Sequence, residues 1–274
     1  MARRGVVRAA VRGNVTLVLV ALCIILGLVV GSFLNVVIAR VPAGESVVRP
    51  ASRCPACGEP IAPRDNVPVL SWLLLRGRAR CCGTRISARY PLVEALTAAA
   101  FGFLAVGTGL AWELPALLYL AAISIALAII DIDTTRLPFA IVDPSYVVAA
   151  VLLAIPVVAA RDLAAAGRAL AGAAIAWGLY MALRLISPRG MGYGDVHLSG
   201  VLGLYLGWAG WANVAVGLFA GFLIGGFAGL GFVLAGRRTL RSSIPYGPYL
   251  LAGAWVGLLA GPPIVAAYLR ASGL

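Results

Sequence analysis

Apolar residues run along this chain in stretches of about twenty, and polar residues collect in the short connections between them. That pattern predicts membrane-crossing helices, since twenty residues rising about 1.5 Å each match a hydrocarbon layer of roughly 30 Å. The spans fall at 15–39, 91–109, 114–132, 142–160, 165–185, 196–211, 213–236 and 246–268. The stretch 196–236 reads as two helices with a turn at Trp208–Trp211, or as one long broken helix; tryptophans suit a membrane interface. Small residues spaced as Gly27/Gly31 and Gly221/Gly225 allow close helix packing and carry no functional weight. The first span follows Arg3, Arg4, Arg8 and Arg12, as a secretory signal would. Its apolar stretch is longer than such a signal needs and more spans follow, so it reads as a retained helix. The predicted fold class is all-α: a polytopic transmembrane bundle of about eight helices with one Cys-rich loop domain.

Composition agrees with this pattern. Of 274 residues 62% are hydrophobic and only 12% charged, against about a quarter charged in soluble domains. The net charge of +12 comes entirely from arginine, as the chain contains no lysine. In a soluble chain that excess would suggest nucleic acid; between apolar runs the arginines report topology, and no nucleic-acid partner is expected. Residues 40–90, the one long connection, hold nine arginines, six prolines and four cysteines. The organisation expected is an N-terminal segment with first helix at 1–39, the Cys-rich loop at 40–90 and a transmembrane core at 91–274. With that loop in the cytoplasm, Arg136, Arg184, Arg189, Arg237, Arg238 and Arg241 join it, making 15 arginines inside against 7 outside. The four N-terminal arginines pull the other way, but the balance puts the N-terminus out and the loop in.

Carboxylates near a membrane are costly unless paired, hydrated or functional. Asp131 and Asp133 close the third span, and Asp195 opens the sixth within Gly190-Met191-Gly192-Tyr193-Gly194-Asp195. All three belong to the same side, so a bundle can bring Asp195 to face the pair. Two carboxyls in one site share a proton, one serving as base and the other as acid, which suits water attack on a peptide. The glycines at 190, 192 and 194 permit unusual backbone conformations and close approach of a peptide. Helix capping and ion coupling are equally open to carboxylates in these places.

The same residues carry a family likeness. Gly192-Tyr193-Gly194-Asp195 resembles the glycine–any–glycine–aspartate signature of intramembrane aspartyl proteases, and its context resembles the prepilin peptidases, or type IV leader peptidases. Asp131, followed by Leu137-Pro138, matches that family's first catalytic aspartate; Asp133 matches an acidic neighbour. Gly31–Pro42, Asp65–Leu73, Ile86–Glu94 and Ile244–Pro248 resemble further blocks in the family's order. The resemblance implies catalytic Asp131 and Asp195, supported by Asp133, Gly192, Gly194 and His197. It implies a prepilin or pseudopilin precursor as partner, cut after a glycine where its basic leader meets the cytoplasmic membrane face. It also implies methylation of the new N-terminus from S-adenosylmethionine, a function associated with the large loop. The setting implied is the bacterial cytoplasmic membrane. Two positions depart from the family: Phe139 stands where Asp or Asn is usual, and His197, the only histidine, where Lys is usual.

Cys54-Pro-Ala-Cys57-Gly is a zinc half-site. The family's second CxxC pair is broken here, with Ala79 in its first place and Cys82 in its second. Adjacent Cys81 and Cys82 point apart on an extended chain, so three readings stand: zinc on Cys54, Cys57, Cys82 and a strained Cys81; a three-ligand or metal-free loop; a redox pair. Any zinc is expected to be structural, with proteolysis independent of metal. Cys23, inside the first span, is expected to be inert packing. Two competing functions remain at this level, a small transporter using the carboxylates and a non-catalytic pilus or secretion assembly subunit.

Overall fold

The computed structural model describes residues 2–54, 56–188, 191–234 and 245–273, with backbone alone at 2–15, 232 and 233. Arg189, Gly190, Arg237, Arg238, Arg241 and Ile244, and the side chains of the four N-terminal arginines, lie outside the described residues. The chain divides into two compact units, 1–126 and 127–274.

The first unit contains α1 (Ala2–Arg40), the short α2 (Leu70–Leu74), α3 (Arg89–Thr108) and the first part of α4 (Leu114–Thr134). Helices α1 and α3 pack face to face. Gly27 and Gly31 make this possible: a Cβ on either would stand 2.6 or 2.7 Å from the Cα of Ala98 or Glu94. Asn35 at the end of α1 donates to the carbonyl of Tyr90 at 3.1 Å, tying the two ends of the loop 40–90 together. Within that loop, two tight turns face one another, each closed by an isolated antiparallel bridge: Arg53 to Pro60 and Arg78 to Arg85.

The second unit holds the end of α4 with α5 (Phe139–Ala160), α6 (Leu163–Ile186), α7 (Tyr193–Ala209), α8 (Trp211–Leu234) and α9 (Gly247–Ala271). Helix α7 is its core: it packs on α5, α6, α8 and α9, and every residue from Val196 to Gly207 except His197 is buried. The α6–α7 contact is as close as backbones allow, with Gly203 seated on Gly172 and Gly207 on Arg168 and Ala169. Of the two readings for 196–236 the structure has two helices. They break at Gly210, whose φ of +146° is open to glycine and strained for side-chain-bearing residues.

Among the described residues eight long helices therefore match the eight predicted spans. Among the described residues seven of them are long and apolar enough to cross a membrane; α7, with 17 residues, is the exception. Strand pairing among the described residues is limited to the two bridges of the loop, and the chain is all-α.

Candidate active site

Helix α4 ends because Thr135 turns left-handed, with φ +51° and its amide on the Asp131 carbonyl at 2.7 Å. Pro138 then caps α5 from an extended conformation, since its fixed φ suits a helix entry. The tight 134–138 turn leaves Asp131 on the inner side of the last helical turn, 3% exposed, and Leu137 buried beside it. Asp133, two residues on and about 200° further round the helix, is exposed.

Asp195 sits in the first turn of α7 and is 7% exposed. Its Oδ2 accepts from the Gly192 amide at 3.0 Å, so this carboxylate does cap its own helix. Asp131 Oδ2 accepts from the Gly247 amide at 2.8 Å, at the start of α9. The two carboxyls lie near enough to interact electrostatically. Each thus has one oxygen held by a glycine N–H, while its other oxygen has no partner among the described residues.

The glycines serve a different purpose from the conformational one expected. Gly192 has φ −69° and ψ 149°, open to any residue, and Gly194 is helical. What excludes side chains is space. A Cβ on Gly192 would stand 2.8 Å from Asp195 Oδ2, and one on Gly194 would stand 2.8 Å from Leu137 Cβ. A Cβ on Gly247 would meet Asp131 Oδ2 at 2.9 Å and Leu137 Cδ2 at 3.2 Å. Leu137 is therefore the spacer against which the Asp195 segment and the entry of α9 both rest.

His197, one turn into α7, bonds through Nδ1 to Asp143 Oδ1 of α5 at 2.9 Å. Tyr146 donates to the His197 carbonyl at 2.6 Å, and Gly200 makes room for its ring. Phe139 and Tyr193 both meet the imidazole, with centroids 5.1 and 4.9 Å away. The two positions that depart from the family pattern, 139 and 197, are thus in direct contact. Arg184 lies over the Tyr193 ring at 5.1 Å and donates to the Met191 carbonyl at 2.7 Å. Gly247, Leu137, Asp143 and Tyr146 were not singled out as site residues from sequence. For the first two the Ile-Pro-Tyr-Gly-Pro and Leu-Pro blocks were the available signal. Tyr180 was also missed: it is fully buried within electrostatic reach of Asp195, with its ring stacked on Phe222 and tilted against Tyr246.

In the other unit, the Sγ atoms of Cys54, Cys57, Cys81 and Cys82 all lie within 4.8 Å of one another. The closest pairs are Cys57–Cys81 at 3.2 Å and Cys54–Cys82 at 3.6 Å. Sulfurs around tetrahedral zinc, each about 2.3 Å from the metal, are spaced at roughly this distance, so the four residues fit such an ion. The expectation that Cys81 and Cys82 point apart assumed an extended chain. Instead they occupy a turn closed by Gly83 N on Ala79 O at 2.8 Å, with Gly83 at φ +69°, and their sulfurs are 3.8 Å apart. This turn repeats the one at Cys54, where Gly58 N bonds Cys54 O at 2.9 Å and Gly58 has φ +75°. Cys81 supplies the thiol that position 79 lacks. The backbone amides of Cys57 and Ala56 lower the Cys54 thiol to about 6, while the hydrogen bond to Cys57 raises Cys81 to about 12. A low-pKa thiol among neighbouring sulfurs is the chemistry of a metal ligand.

Comparison with known proteins places both units. Residues 25–108 match the bacterial peptidase A24 N-terminal domain and residues 118–234 the type IV leader peptidase family. The chain is 36% identical to a prepilin leader peptidase/N-methyltransferase of Aeromonas hydrophila over 274 residues, covering 91% of this chain and 93% of that protein. A protein of the same description from Stutzerimonas stutzeri is 34% identical, covering 93% and 95%. One from Myxococcus xanthus is 43% identical over 220 residues, 78% of this chain and 63% of its own. No solved structure matches. An all-helical core with buried aspartates at 131 and 195, joined to a four-cysteine loop, matches its relatives over nearly its whole length, and the chain belongs to the type IV leader peptidase family.

Proposed function

We propose that this protein is an endopeptidase that removes the basic leader from prepilin or pseudopilin precursors, cutting after a glycine at the cytoplasmic membrane face. Asp131 and Asp195 carry the reaction. They hold one proton between them, as two carboxyls in one site do, and titrate as a unit. The ionised member takes a proton from a water lodged between the two unpartnered oxygens, and the water oxygen bonds to the scissile carbonyl carbon. The other carboxyl gives its proton to the carbonyl oxygen. When the resulting diol collapses, the C–N bond breaks, the leaving amine receives a proton from the dyad, and a diol hydroxyl returns its proton to the dyad as the new carboxyl forms. The amides of Gly192 and Gly247 keep the remaining oxygen of each aspartate fixed, so the reactive oxygens need no reorganisation.

The observation that supports this reading is that pairing of oxygens: each buried carboxyl is half held and half free in a chain of this family. Asp133 tunes the site from outside it, and His197 with Asp143 holds the entry of α7. Cys54, Cys57, Cys81 and Cys82 would hold zinc, which when bound supplies a structural clamp on the loop and takes no part in proteolysis. The relatives' description adds N-methylation; on our reading this chain likewise methylates the freed amine from S-adenosylmethionine, with the 40–90 loop as the module concerned. Purified protein incubated with a precursor pilin in detergent or lipid tests the proposal. Leader removal is expected, followed by a mass gain of one methyl on the mature N-terminus. Intact precursor in the presence of folded enzyme overturns it.

A further inference from the structure

We infer that α2 is an interfacial anchor, seated in the headgroup layer of a membrane rich in anionic phospholipid. The first argument is depth. The amide of Val69, which leads into α2, donates to Glu94 Oε2 at 2.7 Å. Glu94 is five residues into α3, about 7.5 Å along its axis from Arg89. Helix α3 has 20 residues, about 30 Å, so it needs its whole length to cross the hydrocarbon layer. On the other side, Gly31 touches the Glu94 backbone nine residues before α1 ends at Arg40. The start of α2 therefore lies alongside the ends of two spans, at the level of the membrane boundary, and not out in the water beyond them.

The second argument is the face that α2 presents. Its inner side is satisfied by protein. Ser71 is buried and donates to the Arg64 carbonyl at 3.1 Å, and Trp72 donates to the Ile86 carbonyl at 3.1 Å with its ring against Gly77. The opposite side carries Leu70, Leu73 and Leu74, which share one helical face and are 58, 57 and 82% exposed. Three leucines left to water at the end of two spans are accounted for by acyl chains and glycerol backbones at that level.

The third argument is charge. The loop has nine arginines against Glu45, Glu59 and Asp65, and Arg80 takes Asp65 at 2.9 Å. Arg76 and Arg78 follow α2 directly, are exposed, and pair with no carboxylate among the described residues. Arginines beside an inserted apolar face reach back to lipid phosphates, and each gains from a negative surface. Free phosphate would engage the arginines alone, and only a lipid surface covers the leucines as well. This inference rests on no part of the proposed reaction.

Hydrogen exchange of the full chain in nanodiscs tests it without any substitution. Peptides spanning 70–78 are expected to exchange about tenfold more slowly in discs containing phosphatidylglycerol than in phosphatidylcholine alone, with high salt removing the difference. Arg76→Ser with Arg78→Ser should abolish the lipid dependence, while Leu73→Ser with Leu74→Ser should speed exchange in both discs. Equal rates in the two lipids overturn the inference, as does a difference that survives high salt or the arginine substitutions.

Discussion

The amide of Gly247 donates to Asp131 Oδ2 at 2.8 Å, across 116 residues of sequence. A side chain at that position would push the carboxyl aside, since a Cβ would stand 2.9 Å from the same oxygen. Gly247→Ala should therefore displace Asp131 and lower kcat about tenfold or more, with KM much less affected, because the lost arrangement matters at the chemical step. Steady-state cleavage of a precursor pilin by folded variant and parent checks this.

Asn is nearly isosteric with Asp but can neither act as base nor share a proton. Asp131→Asn and Asp195→Asn should each reduce leader removal by about a thousandfold or more while the variants still insert and bind precursor. Asp133→Asn should retain measurable activity, given its exposure. Time courses at equal folded concentration decide this; normal cleavage by Asp195→Asn would end the aspartyl mechanism.

His197→Ala removes the tie from α7 to Asp143 and should lower kcat several-fold, whereas His197→Lys keeps a partner for that carboxylate and should lose less. The ring of Phe139 packs against His197, so Phe139→Asp and His197→Lys should be coupled, the double variant performing better than the product of the singles. A double-mutant cycle on kcat provides the measurement.

Cys54→Ser with Cys57→Ser should lose bound zinc and leave cleavage by folded protein intact. Metal uptake should depend on pH with a definite sign. Protons compete with the metal for the four thiolates, so zinc is held at neutral pH and released as the pH falls. Zinc analysis across pH, beside a cleavage assay, tests both statements; cleavage that fails without zinc and returns with it contradicts the structural role.

The proposed orientation, read from the arginine balance, has the four-cysteine loop and the aspartates on the cytoplasmic side. A membrane-impermeant thiol reagent applied to intact cells should leave Cys57, Cys81 and Cys82 unmodified, although all three are exposed on the protein. Labelling is expected once the membrane is opened in the presence of a zinc chelator, and rapid labelling before opening, with the chelator present, reverses the orientation.

The spans were legible because apolar length is a local property of the chain. Even the break in 196–236 was marked by its tryptophans and Gly210. The catalytic roles proposed for Asp131 and Asp195 came from the resemblance, as spacing alone left caps and ion coupling open, and Asp195 does in fact cap α7. The Ile-Pro-Tyr-Gly-Pro block marked Gly247 but not its partner, because a backbone amide meeting a carboxyl across 116 residues leaves no trace of the pairing in either segment. Asp143 on an exposed turn of α5 looks like any solvated carboxylate until α7 sets His197 beside it. Cys81 joins the other three sulfurs as the four-ligand reading had it, and only the strain expected of it failed, for a local reason: whether neighbouring sulfurs converge depends on whether the backbone is extended or turned, and Gly83 turns it.

Helix α7 is short: 17 residues rise only about 25 Å. The thirteen residues from Trp208 back to Asp195 rise about 20 Å, short of a hydrocarbon layer of roughly 30 Å. On the proposed reaction, a peptide bond reaches that carboxyl only once it is released from its own helix, whose backbone bonding would otherwise shield the carbonyl. A helix shorter than the layer it stands in makes bilayer thickness a lever on catalysis: a thinner membrane eases the mismatch, and a thicker one adds to it at every turnover.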